Sequence, residues 1–474
     1  MLLRTYTPVA KSIARYTALG SPAEHCGICR FYAAPNICAR VVGPVVPAGW
    51  CKFFSREAVF RPLAPYASGI PPGVALDLSF MTPGTIDPRI AFTRASTATY
   101  FDSTGTLQTA AVNAPRWDHD PVTHVLRGLL IEEVRSNSLF PSVNWAANAT
   151  ASGSVDGVAQ NVGIGPSGAN NAMALIPGSF NGVHQYYGVP SVTASTVYTY
   201  SVFCKAAGMN FVQLALENTG FTAQYAMFNL LAGTVDRQSA NSSAVISPAG
   251  NGWYRCAITA AASATPPAVN NIYPSAVGGL AGGFPSTGDS VNGIWVWGQQ
   301  LEAGAFATSF VATTAAAVTR AQDSCMIPPA NMGWFTPPGG SWMAEFIGFN
   351  PPSALTPRVI SYPAAGNIHT ISGSTILAVQ QYDGAASMVT ANTFSPNTVV
   401  KAATTWAVGA ARSCLNAGAI ASSAALTAGY APLATGGVRL MADETAGDGM
   451  SGYLRRMRYW PRILTNAELQ SVTT

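Results

Sequence analysis

At 474 residues the chain is long enough for about three domains of ordinary size, and 48% hydrophobic residues supply a substantial core. Charged residues make up only 10%, against about 25% in an average globular protein. Gly, Ala, Ser and Thr stand in their place, a balance that suits tightly packed extracellular or virion β proteins and argues against a cytosolic enzyme. The net charge of +4 is unevenly spread: residues 1–70 carry eight Lys/Arg against two acids, and the rest 17 against 19. Eight cations over 70 residues do not form a basic tract, so no nucleic-acid partner is expected.

The N-terminal stretch MLLRTYTPVAKSIARY lacks the apolar run of a secretory signal. An apolar span long enough to cross a bilayer is also missing, so no membrane insertion is expected. The spacing of Leu2, Val9 and Ile13 predicts a short helix within residues 1–20, ending at Gly20-Ser21-Pro22.

Four of the eight cysteines then fall within 26 residues, as Cys26, Cys29, Cys38 and Cys51 in the spacing C-x2-C-x8-C-x12-C. Cys204, Cys256, Cys325 and Cys414 are scattered singly. Residues 22–62 are too short to build a hydrophobic core alone and need a staple. Two disulfides would serve, although the missing export signal counts against them. A structural zinc would serve, although zinc ribbons pair two C-x2-C knuckles and only Cys26 and Cys29 form one here. An iron–sulfur cluster held by four thiolates is the third choice.

Residues 63–75 are Pro/Gly-rich and read as a linker. In residues 76–140, Tyr100 to Leu107 is a strand–turn–strand signal with its turn at Asp102–Gly105. Asp120-Pro121-Val122-Thr123 is a second turn, and Gly128-Leu129-Leu130-Ile131 a buried strand. Residues 141–320 hold repeated short strands, among them TVYTYSVFCKA, NFVQLALEN and GIWVWGQQLEAG, between Gly, Asn and Ser clusters. That is the pattern of an antiparallel sandwich. Residues 321–474 begin a second strand set, from SWMAEFIGF to GYLRRMRYW, and end in a short helix capped by Thr465 or Asn466. The fold class expected is therefore mainly β, a cysteine-rich metal- or cluster-binding module of residues 1–62 followed by antiparallel β-sandwich domains.

Catalytic groups are sparse. Glu132 and Glu133 are adjacent, so on a strand they point to opposite faces and cannot act as a glycosidase pair. Asp118 and Asp120 share a face and suit calcium, or an Asp-Pro turn in which one carboxylate caps the backbone. The five histidines make no metal-ligand pattern, and no nucleophile elbow or phosphate loop is present. No catalytic residue is assigned and no enzyme is expected, with a polysaccharide depolymerase as the alternative. Sugar recognition commonly uses aromatic platforms with polar side chains. Candidates are Tyr186, Tyr187, Tyr273, Trp295, Trp297 and Trp406, and of these Tyr186, Tyr187 and Trp406 are taken as ligand-binding. Core or trimer-interface packing is the favoured alternative for each. Trp295 and Trp297, two apart on a strand, face the same way and inward.

Several stretches resemble known families. Cys26, Cys29 with Phe31-Tyr32, Cys38, Val42-Gly43-Pro44 and Gly49-Trp50-Cys51 before Phe53 resemble the high-potential iron–sulfur proteins. The resemblance implies a 4Fe-4S cluster on the four cysteines, with zinc as the alternative. Asp87-Pro88-Arg89, Phe92 to Tyr100, Pro115-Arg116-Trp117-Asp118 and Arg127 to Glu133 resemble a module of tailed-phage head-spike and tail-fibre proteins. Residues 144–319, with Gly252-Trp253-Tyr254-Arg255 and Gln300 to Gly304, resemble carbohydrate-binding jelly rolls, and Gly452 to Leu469 resembles the end of concanavalin A-like sandwiches. These likenesses imply a structural fibre or spike of a virion, made in the bacterial host cytoplasm. Residues 1–62 would anchor it to capsid or tail proteins, and the sandwiches would bind host surface glycan, as a homotrimer.

Overall fold

The computed structural model divides into two units, Met1–Gly69 and Ile70–Thr474. In the first it describes only the strands Tyr32–Ala33 and Ile37–Cys38, which pair antiparallel with Tyr32 opposite Cys38. Cys26, Cys29, Cys51 and the expected helix over 1–20 lie outside the described residues, and of Cys38 only the backbone is described. In the second unit it describes residues 70–474 except 146–154, 219, 264–267, 336–338, 350–357, 363–368, 374–377, 383–386, 407–410, 424–435 and 442–449.

The described part of this second unit is built almost wholly of antiparallel strands. In the first of them, Leu76–Ser79, Leu76 and Leu78 are buried while Asp77 and Ser79 are exposed, the period-two pattern of a half-buried strand. It pairs with the second half of Gly452–Trp460, and Leu126–Ile131 pairs with the first half of the same strand. Both thereby join an eight-stranded sheet that also holds Gly340–Gly348, Val399–Trp406 and Arg116–His119. Ala91–Thr93 joins the opposing seven-stranded sheet through Ser324–Ile327. One core lies between the two sheets and contains Leu76, Leu78, Trp117 and Leu129 together with Trp342, Trp406 and Tyr459.

Residues 76–140 are thus not a separate module, contrary to expectation. Their strands are three to six residues long, and such short strands bury their apolar sides only by completing larger sheets. The hairpin read from the sequence is present within them, Ala98–Phe101 pairing with Leu107–Ala110. Its turn is closed by Asp102 Oδ1, which accepts from Thr104 N at 2.8 Å and Thr106 N at 3.1 Å. Gly105 is required there, because φ is +77° and a Cβ would lie 2.5 Å from the Pro121 carbonyl oxygen.

The jelly roll is inserted into this C-terminal sandwich. The chain leaves along Arg135–Asn137 and returns along Val318–Arg320, and the two strands pair antiparallel with Arg320 opposite Arg135. Between them lie a six-stranded sheet centred on Val197–Ala207 and a five-stranded sheet centred on Phe211–Glu217. They face each other across Tyr200, Val202, Leu214, Phe228, Ile258 and Ile272, all fully buried.

The longest described helix, Asn466–Val472, opens on a capping box. Thr465 Oγ1 accepts from Glu468 N, and Glu468 Oε2 accepts from Thr465 N. Leu469 and Val472 pack on Met343, Trp460 and Leu464. Among the described residues no helix is long and apolar enough to cross a membrane.

Candidate functional site

The neck of the insertion carries a buried ionic network. Arg94 Nη1 lies 3.1 Å from Asp323 Oδ1, and Arg116 spans Asp323 Oδ2 at 2.5 Å and Glu132 Oε2 at 2.8 Å. The side chains of Arg94, Arg116 and Asp323 have no solvent exposure. Arg320 Nη1 stands 3.5 Å from Glu132 Oε2. Burial disfavours charge and lowers the Arg94 guanidinium, whereas at Arg116 and Glu132 the opposite charges outweigh it. The Asp323 and Glu132 carboxylates hold Arg116 well above its usual range. Burial pushes the Glu132 carboxyl up, but Arg320, Arg116 and the Ser309 hydrogen bonds outweigh it and hold the group at about 2. Its neighbour Glu133 takes different partners, as alternation on a strand requires: Glu133 Oε1 lies 2.6 Å from Arg135 Nη2.

The network also fixes a loop. Glu132 accepts from Ser309 N at 2.7 Å and from Ser309 Oγ at 2.6 Å. Glu302 accepts from Thr308 N and Thr308 Oγ1. Residues 305–310 are thereby held as one wall of a cleft of about 390 Å3.

The floor of that cleft is the outer face of the six-stranded sheet, where Thr199, Thr259, Ala257, Ser243, Val245 and Ser247 line it. Thr199 and Thr259 share a hydrogen bond of 2.8 Å. Arg255 lies in the same face, its guanidinium 5.3 Å from the Phe203 ring centroid and bonded to Ser201 Oγ and the Thr308 carbonyl. The facing wall comes from the C-terminal sandwich: Tyr100, Phe101, Asp118, Arg127, Phe349 and Tyr453.

A run of aromatic rings joins the two walls. Phe306 meets Phe349 edge-on at 5.9 Å between centroids, and Phe349 meets Tyr453 edge-on at 5.3 Å. Arginines cap both ends, Arg135 over Phe306 at 5.4 Å and Arg127 over Tyr453 at 5.7 Å. Phe306 and Phe349 are half-buried. Tyr453 OH donates to Asp118 Oδ2 at 2.8 Å, and Asp118 Oδ1 accepts from Phe101 N at 2.6 Å. Burial pushes the Asp118 carboxyl up. Asp120 takes the turn role: Oδ1 accepts from Val122 N and Thr123 N, and Oδ2 pairs with Arg127 at 2.9 Å. Burial opposes its ionisation, but these bonds win and hold its carboxyl at about 2. Asp118 and Asp120 therefore spend their oxygens on the protein itself.

The aromatic residues chosen from the sequence lie elsewhere. Tyr186 is 3% exposed, packs in the jelly-roll core and donates to the Trp145 carbonyl at 2.8 Å. Trp406 is 2% exposed and stacks on Tyr459 in the C-terminal core. Neither presents a ring face to a ligand, because both sit on the inward side of their strands. Tyr187, the next residue on the strand Tyr186–Gly188, points the other way and is half-buried. Trp295 and Trp297 pack on one cluster beside Phe203 and Phe310, as their two-residue spacing requires. Of the residues that line the cleft, Asp118 and Glu132 stand out in the sequence, but its rings do not. Phe306 and Phe349 each follow a glycine-bearing strand exit, at Gly304-Ala305-Phe306 and Gly348-Phe349. That is a weak local signal. Among the described residues no group of three or more His, Cys, Asp or Glu gathers as a metal site.

No family model and no curated protein matches the chain. Solved structures give partial likenesses. The carbohydrate-binding module CBM40 of the Ruminococcus gnavus IT-sialidase, bound to α2,3-sialyllactose, is 14% identical over 29% of this chain and 84% of that one, with a TM-score of 0.25. Domain 4 of AbnA, an extracellular GH43 arabinanase of Geobacillus stearothermophilus, is 11% identical over 36% of this chain and 82% of that one, TM-score 0.26. A Trypanosoma rangeli sialidase is 12% identical over 60% of this chain and 53% of that one, TM-score 0.27. Scores of this size do not place the chain in any of their families.

Proposed function

We propose that the chain is a glycan-binding β protein that holds sugar in the cleft between its jelly roll and its C-terminal sandwich. The observation that carries the reading is the pair of half-buried rings, Phe306 and Phe349, set across from a floor of threonine and serine hydroxyls. Apolar sugar faces stack on such rings while hydroxyls and arginines take the polar edge. The cleft volume of about 390 Å3 lies within the range of small-molecule sites. The carboxylates beside it are engaged in holding the walls, which supports binding over cleavage.

The resemblance of residues 76–133 to phage spike and fibre proteins supports a setting on a tailed-phage virion, with residues 1–62 as the docking module and the sandwiches turned to host glycan. On this reading weak single sites gain strength from a trimer and from many copies per particle. Titration of the purified protein with bacterial surface polysaccharide tests the binding, with Phe349→Ala expected to abolish most of it. Unchanged affinity in that variant would overturn the cleft assignment. Release of reducing ends from the same polysaccharide would replace binding with depolymerase activity. Deleting residues 1–62 without loss of virion attachment would overturn the docking role.

A further inference from the structure

The five-stranded sheet has an outer face that the cleft does not use. Leu214, Ala226 and Ile272 point from it into the core. On the other side the register sets Tyr187 beside Asn271, Asn271 beside Ala215, and Ala215 beside Tyr225, one row across four strands. Tyr187 and Tyr225 are half-buried.

Polar groups gather at this row. Glu217 Oε2 accepts from Tyr273 OH at 2.7 Å and from Asn271 Nδ2. Asn271 is 2% exposed, yet its Oδ1 is buried with no donor among the described residues. Gln213, fully buried, gives its Nε2 to the Gly282 carbonyl at 2.9 Å and leaves Oε1 in the same state. A buried acceptor without a partner is costly, so a site that keeps the Asn271 Oδ1 beside the Glu217 carboxylate is suited to incoming donors. A cation is a poor match, since two donors already crowd the Glu217 carboxylate and no group of three or more His, Cys, Asp or Glu gathers there among the described residues. Hydroxyls suit it, because each donates one hydrogen to an amide or carboxylate oxygen.

We propose a second sugar site on this face, in which Glu217 and Asn271 accept from neighbouring hydroxyls of a neutral pyranose and Tyr187 packs on its ring. The site lies on the opposite sheet of the jelly roll from the cleft and does not depend on it.

The test uses the full chain, ligand-detected NMR and a panel of neutral glucose, galactose and mannose oligosaccharides. In a Phe349→Ala background, which disables the cleft, binding to at least one probe is expected to persist. Glu217→Gln and Tyr187→Ala are each expected to weaken that residual binding about tenfold, the loss of one charged hydrogen bond or one ring contact. Unchanged circular dichroism and melting temperature show that the variants fold. The proposal is overturned if no probe binds the Phe349→Ala protein, or if binding there ignores both further variants. The second outcome would mean that ordered water serves Asn271 and Gln213. Loss of binding in Glu217→Gln alone, with Phe349→Ala silent, would instead retire the cleft and keep this site.

Discussion

Arg94 and Asp323 stand 229 residues apart in the chain and meet as a buried ion pair at 3.1 Å. Arg116 reaches the same carboxylate from a third segment. Together they close the neck through which the jelly roll is threaded into the C-terminal sandwich. One carboxylate thus joins the stretch before the insertion to the stretch after it.

Removing that carboxylate leaves two guanidiniums buried without their shared partner. Asp323→Ala should cost about 3–5 kcal/mol in urea unfolding, the usual penalty for orphaning a buried charge. Asp77, paired with Arg456 at 3.0 Å and Arg458 at 3.2 Å on the surface, should cost under about 1 kcal/mol on conversion to Ala. Equal losses at the two sites would show that the neck is not the anchor it appears by geometry.

Acid should loosen the same neck. Glu132, Asp120 and Glu468 each have a carboxyl held at about 2, below the ordinary value near 4. A depressed folded pKa stabilises the fold above the unfolded value and loses that contribution as pH falls toward the folded one. Glu133 and Asp118, pushed up by burial, act in the opposite sense and blunt the slope. Melting temperature should therefore decline from about pH 4.5 to pH 2, and Glu132→Gln should flatten the decline while lowering stability at neutral pH. A slope unchanged in Glu132→Gln would rule the neck out as its source.

Ring deletions should separate binding from folding. Phe306→Ala should weaken glycan affinity roughly fivefold to tenfold, the contact value of one aromatic ring, with a small stability change because the ring is half-buried. Trp406→Ala should cost about 3–5 kcal/mol of stability and leave affinity of the folded protein nearly unchanged, since Trp406 lies in the core. Calorimetric titration beside thermal melts distinguishes the two patterns.

The C-terminal helix depends on its cap. Thr465→Ala removes one half of the capping box and should cost about 1 kcal/mol, read as a lowered melting temperature. Thr465→Ser should restore most of it.

The cysteine module is open to elemental analysis. Iron with visible brown absorbance that disappears in Cys51→Ser is the expected result for a cluster on Cys26, Cys29, Cys38 and Cys51. A colourless protein with stoichiometric zinc would assign the alternative metal, and a metal-free protein without free thiols there would assign disulfides.

Local features of this protein were readable from its sequence because they depend on neighbours within a few residues. The buried stretch Gly128–Ile131, the Asp102–Gly105 turn and the Thr465 cap all follow from backbone periods and side-chain reach. The partner of each strand did not follow. A four-residue strand such as Leu76–Ser79 fits any sheet edge with an apolar face, and only the whole sandwich selects Gly452–Trp460. The same limit hid the cleft. Its walls take Phe101, Phe203, Phe306, Phe349 and Tyr453 from segments hundreds of residues apart, and no period in the chain relates them. Tyr186 and Trp406 show the converse: ring chemistry was visible in the sequence, but which face each strand turned inward was decided by packing. The buried arginines and acids of the neck belong with the cleft, since a charge tolerates burial only when its counterpart arrives from elsewhere in the fold.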